Sequence, residues 1–115
     1  MRVNVDLLRQ VLIEVEAERD ADSIEGVSKE IANQHFALLL DGAYVVGPQV
    51  SSFGAVRTVT KSARLSLKGH EALALARDAE RWSAARQTAE AAVGGPSFES
   101  TLKVLKNWVD AKLKA

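Results

Sequence analysis

Asp41-Gly42-Ala43-Tyr44-Val45-Val46-Gly47-Pro48 and Leu65-Ser66-Leu67-Lys68-Gly69-His70-Glu71-Ala72-Leu73 are the two stretches on which the fold turns. The first closes a helix and passes into β-prone residues. Gly42 is placed to take the left-handed conformation that commonly ends a helix, and the β-prone run stops at Gly47-Pro48. The second alternates through Leu65-Ser66-Leu67 and then offers Ser66 as the N-cap of a new helix. Between them lie Val50, Phe53, Val56 and Val59, spaced by serines and threonines. The expectation is a β-hairpin with arms at 44–46 and roughly 56–67 and a longish connection.

Toward the N-terminus the pattern is helical. Asn4 is a suitable N-cap, and Asp6 suits the positive end of the helix dipole. Leu8, Val11, Leu12 and Val15 follow the spacing of one buried face, with Glu14, Glu16, Glu18 and Arg19 on the wet side. Residues 23–27 suit a brief strand. Ser28 then caps a second helix in which Ile31, His35, Leu38 and Leu39 form the buried face. Toward the C-terminus, one long helix is expected from about Lys68 to Ala92, stopped by Gly94-Gly95-Pro96. Ser97 caps a last helix, whose stripe is Phe98, Leu102, Leu105, Val109 and Leu113, flanked by Trp108.

Composition bounds the function classes. The 115 residues suit one domain, and 47% apolar with 26% charged is an ordinary globular balance. Eighteen residues are alanine, nine of them between Ala72 and Ala92, so that segment must pack against larger side chains. No apolar run has the length of a membrane span. The start, Met1-Arg2-Val3-Asn4-Val5-Asp6, lacks a signal peptide's apolar segment, and a cytoplasmic setting is expected. Absence of cysteine removes disulfides, thiolate metal sites and cysteine nucleophiles.

Net charge is zero but unevenly spread. Residues 1–56 carry four basic and nine acidic side chains, whereas residues 57–70 carry Arg57, Lys61, Arg64 and Lys68 and no acid. A basic patch on a hairpin suits phosphate contacts. Lys29, Asn33 and Gln34 on the second helix complete the candidate nucleic-acid surface, since Asn and Gln match adenine edges. The competing reading of the same residues is a solvated hairpin and an ordinary helix surface.

Catalytic signatures do not appear. Gly-x-Ser-x-Gly, Gly-x-x-x-x-Gly-Lys and Gly-x-Gly-x-x-Gly are missing. The pair Glu14/Glu18 lies on a wet helix side. His35 and His70 have no recognisable ligand spacing around them, and His35 shares a helix face with Ile31 and Leu38, so it reads as a core histidine. No catalytic residue, metal or cofactor is expected.

The order helix, helix, hairpin, long helix, helix resembles a winged-helix domain, in which a glycine closes a helix, a hairpin forms the wing, and Leu-Ser/Thr-x-x-Gly opens the next helix. More closely, the chain resembles a domain-of-unknown-function family of small bacterial and phage proteins. The resemblance rests on Asn4-x-Asp6-Leu7-Leu8-Arg9-x-Val11-Leu12-x-Glu14, on His35-Phe36-x-Leu38-Leu39, on Leu65 to Leu73, and on Arg77, Asp78 and Trp82. Ser66 and Tyr44 depart from the family's usual threonine and leucine or isoleucine. The segment between the first two helices is also short for a full helix-turn-helix. The resemblance implies an α+β, winged-helix-like domain with a β-hairpin wing and two additional C-terminal helices. Residues 1–67 would be its core and 68–115 a helical extension, within a single domain. The function expected is a non-enzymatic binding module, a DNA-binding regulator of bacterial or phage origin. The alternative is a protein-interaction module, such as a phage or mobile-element effector that binds a host protein complex. A homodimer through residues 98–114 is also expected, because the last helix carries more apolar surface than an alanine-rich neighbour covers.

Overall fold

The structure is a computed structural model that describes residues 2–47, 63–95 and 97–114, together with the backbone of the strands Gln49–Ser52 and Ala55–Thr58. Helix α1 spans Val5–Glu16. The Asn4 side chain accepts the Leu7 N–H at 3.1 Å, and Asp6 lies in the first turn, as the capping pattern predicts. Its buried side chains, Val5, Leu7, Leu8, Val11, Leu12 and Val15, are the spine of the core. Residues 23–27 form turns, with the Val27 N–H bonded to the Ile24 carbonyl, where a brief strand is the alternative the sequence allows.

Helix α2 spans Lys29–Asp41 and is capped by Ser28. Its buried face is Ala32, His35, Phe36 and Leu39. Ile31, expected inside, is 44% exposed, and Leu38 is half-buried. Both stripes have helical spacing, and burying the large Phe36 ring decides between them. The end of α2 also differs from expectation. Gly42 keeps a right-handed conformation, and Ala43 takes the left-handed one, with φ 64°. Glycine is needed at 42 for space: a β-carbon there would lie 2.9 Å from the Tyr44 ring.

Four short strands follow. β1 (Val45–Val46) pairs antiparallel with β4 (Arg64–Leu65), placing Val45 opposite Leu65 and Val46 opposite Arg64. β2 (Gln49–Ser52) pairs antiparallel with β3 (Ala55–Thr58), from Gln49 opposite Thr58 to Ser52 opposite Ala55. The expected connection therefore supplies a strand of its own. The expected second arm ends at Leu65, because Ser66 and Leu67 are already the cap and first residue of a helix.

That helix, α3, spans Leu67–Ala76; α4 spans Ala79–Val93 and α5 spans Phe98–Lys114. Three helices follow the hairpin, not two, because the single helix expected over 68–92 is broken at Arg77-Asp78. Two interactions cause the break. The Asp78 carboxylate accepts the Arg81 N–H at 3.0 Å and caps α4. From α1, the Arg9 guanidinium donates to the carbonyls of Ala76 at 2.6 Å and Arg77 at 2.9 Å, satisfying acceptors that a continuing helix would have bonded. Gly94, left-handed at φ 80°, ends α4, and Ser97 accepts the Ser100 N–H at the start of α5. The fold is thus α+β, mostly helical with short antiparallel strands. One core cluster joins Leu8, Leu12, Phe36 and Tyr44 to Leu73, Trp82, Phe98 and Leu105.

Candidate binding surfaces

The residues of the expected nucleic-acid surface do not form one cluster. Lys29 is exposed at the first position of α2, with Asn33 and Gln34 half-buried a turn further on. Arg64 is exposed on β4, opposite Val46 of β1. Lys68 is exposed but engaged: its Nζ donates to the Gly42 carbonyl at 2.9 Å and lies 4.4 Å from the centre of the Tyr44 ring. Lys29 and the Lys68 contact mark opposite ends of α2, about 18 Å apart at 1.5 Å per residue. Arg57 stands opposite Val50 in the β2–β3 pair, where only the backbone is described, and Lys61 lies outside the described residues.

The motif residues carry structural bonds. His35 is completely buried; its Nε2 accepts the Asn4 N–H at 2.9 Å, and its Nδ1 lies 2.8 Å from the Ile31 carbonyl. Those two contacts fit the neutral ring with its proton on Nδ1. The ring thereby joins the middle of α2 to the cap of α1. Ser66 donates to the Ala43 and Tyr44 carbonyls and accepts the Gly69 N–H, clamping the start of α3 onto the start of β1. Arg77 pairs with Glu16. Trp82 is buried, and its Nε1 donates to Asp6 at 2.8 Å. Arg86 lies 3.3 Å from the same carboxylate. Burial, then the nearby Glu99 carboxylate, raises the Tyr44 hydroxyl above its ordinary value, and that hydroxyl donates to Glu99 at 3.4 Å. His70 is exposed and apart from these bonds. Among the described residues no three His, Asp or Glu side chains come together as a ligand set, and no helix is long and apolar enough to cross a membrane.

Of the openings among the described residues, two differ in character. One, between α1 and the 23–27 turn, is polar; it includes Glu14, whose carboxylate is held below the usual range by the Arg19 guanidinium and by Gln10. The other is a cleft of about 260 Å³ among α3, α4 and α5. Ala74 and Leu75 form one wall, Leu105, Trp108 and Val109 the other, and Arg81 and Lys112 bring two cations to it. Trp108 is 40% exposed there. The cleft is open because α3 presents a small alanine to α5 where a larger side chain would fill the gap. In the sequence its only signals are Trp108 beside the α5 stripe and the alanines of the preceding segment. Nothing in the sequence joins Arg81 to Lys112, one of several lysines near the end of the last helix, since tertiary packing brings them to one opening.

The model of the family described as hypothetical protein (DUF2513) matches residues 2–96, which takes in α1 through α4 and stops short of α5. Searches of curated proteins and of solved structures give no match. The matched span includes the Asn4, His35, Ser66–Gly69 and Arg77–Trp82 positions, whose bonds tie the helices to one another and α3 to β1, and this chain belongs to the DUF2513 family.

Proposed function

We propose that the chain is a non-enzymatic binding module on a winged-helix-like framework, cytoplasmic and of bacterial or phage origin, and that it works by contact with a protein. The observation that carries this reading is the half-exposed Trp108 on the wall of a cleft otherwise built from Ala74, Leu75, Leu105 and Val109. Tryptophan is enriched among the residues that dominate protein interfaces. DNA binding is the second reading, favoured by the exposed Arg64 and Lys29 on the hairpin and α2 side. The engagement of Lys68 with Gly42 and Tyr44 weakens it, because that cation already has partners. A homodimer through α5 is a third way to cover the apolar face, and light scattering of the purified chain detects it.

One comparison separates the first two readings. The intact chain and two variants, Trp108→Ser and the triple change Arg57→Ala, Lys61→Ala, Arg64→Ala, are tested on random-sequence duplex DNA at low salt and on host lysate. The expected outcome is no DNA retention, and a stoichiometric protein complex lost with Trp108→Ser and kept by the triple variant. DNA retention that disappears in the triple variant, with a log–log salt slope of about 0.9 per phosphate contact, overturns the protein reading.

A further inference from the structure

Building on the protein-contact reading, we infer that the α3–α5 cleft receives an amphipathic helix of a partner protein whose flank carries carboxylates. Shape, length and charge each support this occupant. The lining is five apolar residues and two cations, with no acid among them. A helix laid in such a groove buries its apolar stripe and sets its flanking charges against the rim.

The apolar edge is longer than the cleft. On α5, Leu113 continues the line of Leu105 and Val109 at helical spacing and is 79% exposed. On α3, Leu67 lies seven residues before Ala74, on the same helix face, and is 76% exposed. From Leu105 to Leu113 is about 12 Å along the axis, more than two turns, which suits a helix better than a compact small molecule.

Charge chooses the helix's chemistry. Four other arginines have partners within the chain: Arg9 the Ala76 and Arg77 carbonyls, Arg19 Glu14, Arg77 Glu16, and Arg86 Asp6 and Glu90. Among the described residues Arg81 and Lys112 are in no ion pair. Arg81 follows the exposed Glu80 in the first turn of α4, and the carboxylate of Asp78 is given to the Arg81 backbone N–H. A second copy of this chain fits poorly. A two-fold contact centred on the cleft would set Arg81 and Lys112 of one copy against the same residues of the other, and like charges brought together disfavour association.

The test uses the full chain and a displayed random library of peptides about 16 residues long, roughly 24 Å as a helix. Binders are selected on the native chain and counter-selected on Trp108→Ser. Their affinities are then measured as synthetic peptides against Trp108→Ser, Arg81→Glu and Lys112→Glu. Arg81→Glu is chosen because glutamate three residues after the Asp78 cap is itself favourable for α4, so loss of binding would not mean loss of fold; circular dichroism checks each variant. The expected result is enrichment of sequences with apolar residues at i, i+3 or i+4 and i+7, flanked by Asp or Glu. Each charge reversal should weaken binding by about tenfold, and a peptide with lysine in place of its acids should regain binding to the reversed variants.

Trp108-dependent binders with no acidic flank, or binders indifferent to both charge reversals, overturn the inference and leave the protein-contact reading in place. Failure to enrich any Trp108-dependent peptide overturns both. A doubled mass in light scattering that returns to monomer with Trp108→Ser assigns the cleft to a second copy and overturns the inference. Duplex DNA retention lost with Arg81→Glu also overturns it.

Discussion

A β-carbon added at Gly69 would stand 1.9 Å from the Tyr44 carbonyl oxygen, closer than any side chain tolerates, and 3.3 Å from the Leu65 β-carbon. The obstacle is backbone, at the point where Ser66 clamps α3 to the start of β1, so neither partner has a rotamer to yield. Gly69→Ala is therefore expected to cost about 3 kcal/mol, the upper part of the overpacking range. Urea unfolding followed by circular dichroism measures it. Gly95→Ala is the control: nothing lies within 4 Å of its added carbon, and its effect should stay within about 0.5 kcal/mol. The glycine in Leu65-Ser66-x-x-Gly69 was visible in the sequence as a motif, but its reason was not, because the atom it avoids belongs to a residue 25 positions earlier. His35 is similar. Its place inside α2 is legible from spacing, whereas its bond to the Asn4 N–H spans 31 residues.

Helix starts were the most legible feature at the scale of elements. Asn4, Ser28, Ser66 and Ser97 each accept a backbone N–H, because a cap is a contact between residues three apart and leaves its signature in local sequence. The break between α3 and α4 was not legible. The alanine-rich segment favours one continuous helix locally, and the Arg9 side chain that ends α3 comes from 67 residues away. Asp78 makes a testable consequence of this break. Its carboxylate is held below the usual range by the backbone N–H of Arg81, with further help from the Arg81 and Arg9 charges. A folded-state value below the unfolded one contributes stability that is present above about pH 3.9 and is lost as pH falls through the lower folded value. Asp78→Asn keeps a capping side chain but not the charge. Thermal melts between about pH 6 and pH 2 should show a shallower acid loss of stability in Asp78→Asn than in the native chain. Equal slopes would exclude this carboxylate as a source of the loss.

Across the whole molecule, the C-terminal helices are joined to the rest by a run of aromatic rings. Tyr44 and Phe98 meet edge-on at 5.3 Å, Phe98 and Trp82 lie 5.8 Å apart, and Trp82 reaches Asp6 at the start of α1. Phe98 is the central member and is buried. Phe98→Ala is expected to destabilise the whole chain by about 3 kcal/mol. Because one core cluster crosses position 67, unfolding monitored by the tryptophans and by helix content should remain a single coincident transition. Two separated transitions would mean that the helices after the hairpin form an independently stable unit.

The sequence by itself determined four of the five helix starts, the inward face of α1, the hairpin between α2 and α3 and the absence of thiol chemistry. These depend on periodicity, local capping and composition, all of which act within a few residues. Tertiary structure alone decided which of two overlapping stripes on α2 turns inward, where the alanine-rich segment breaks, and which cations are already engaged. It also decided that Ala74, Leu75, Arg81, Trp108 and Lys112 share one opening. The physical reason is common to all four. Each outcome rests on side chains brought together from distant parts of the chain, where ring volume, a guanidinium's reach to a free carbonyl, or a small residue opposite a large one outweighs the modest local preference.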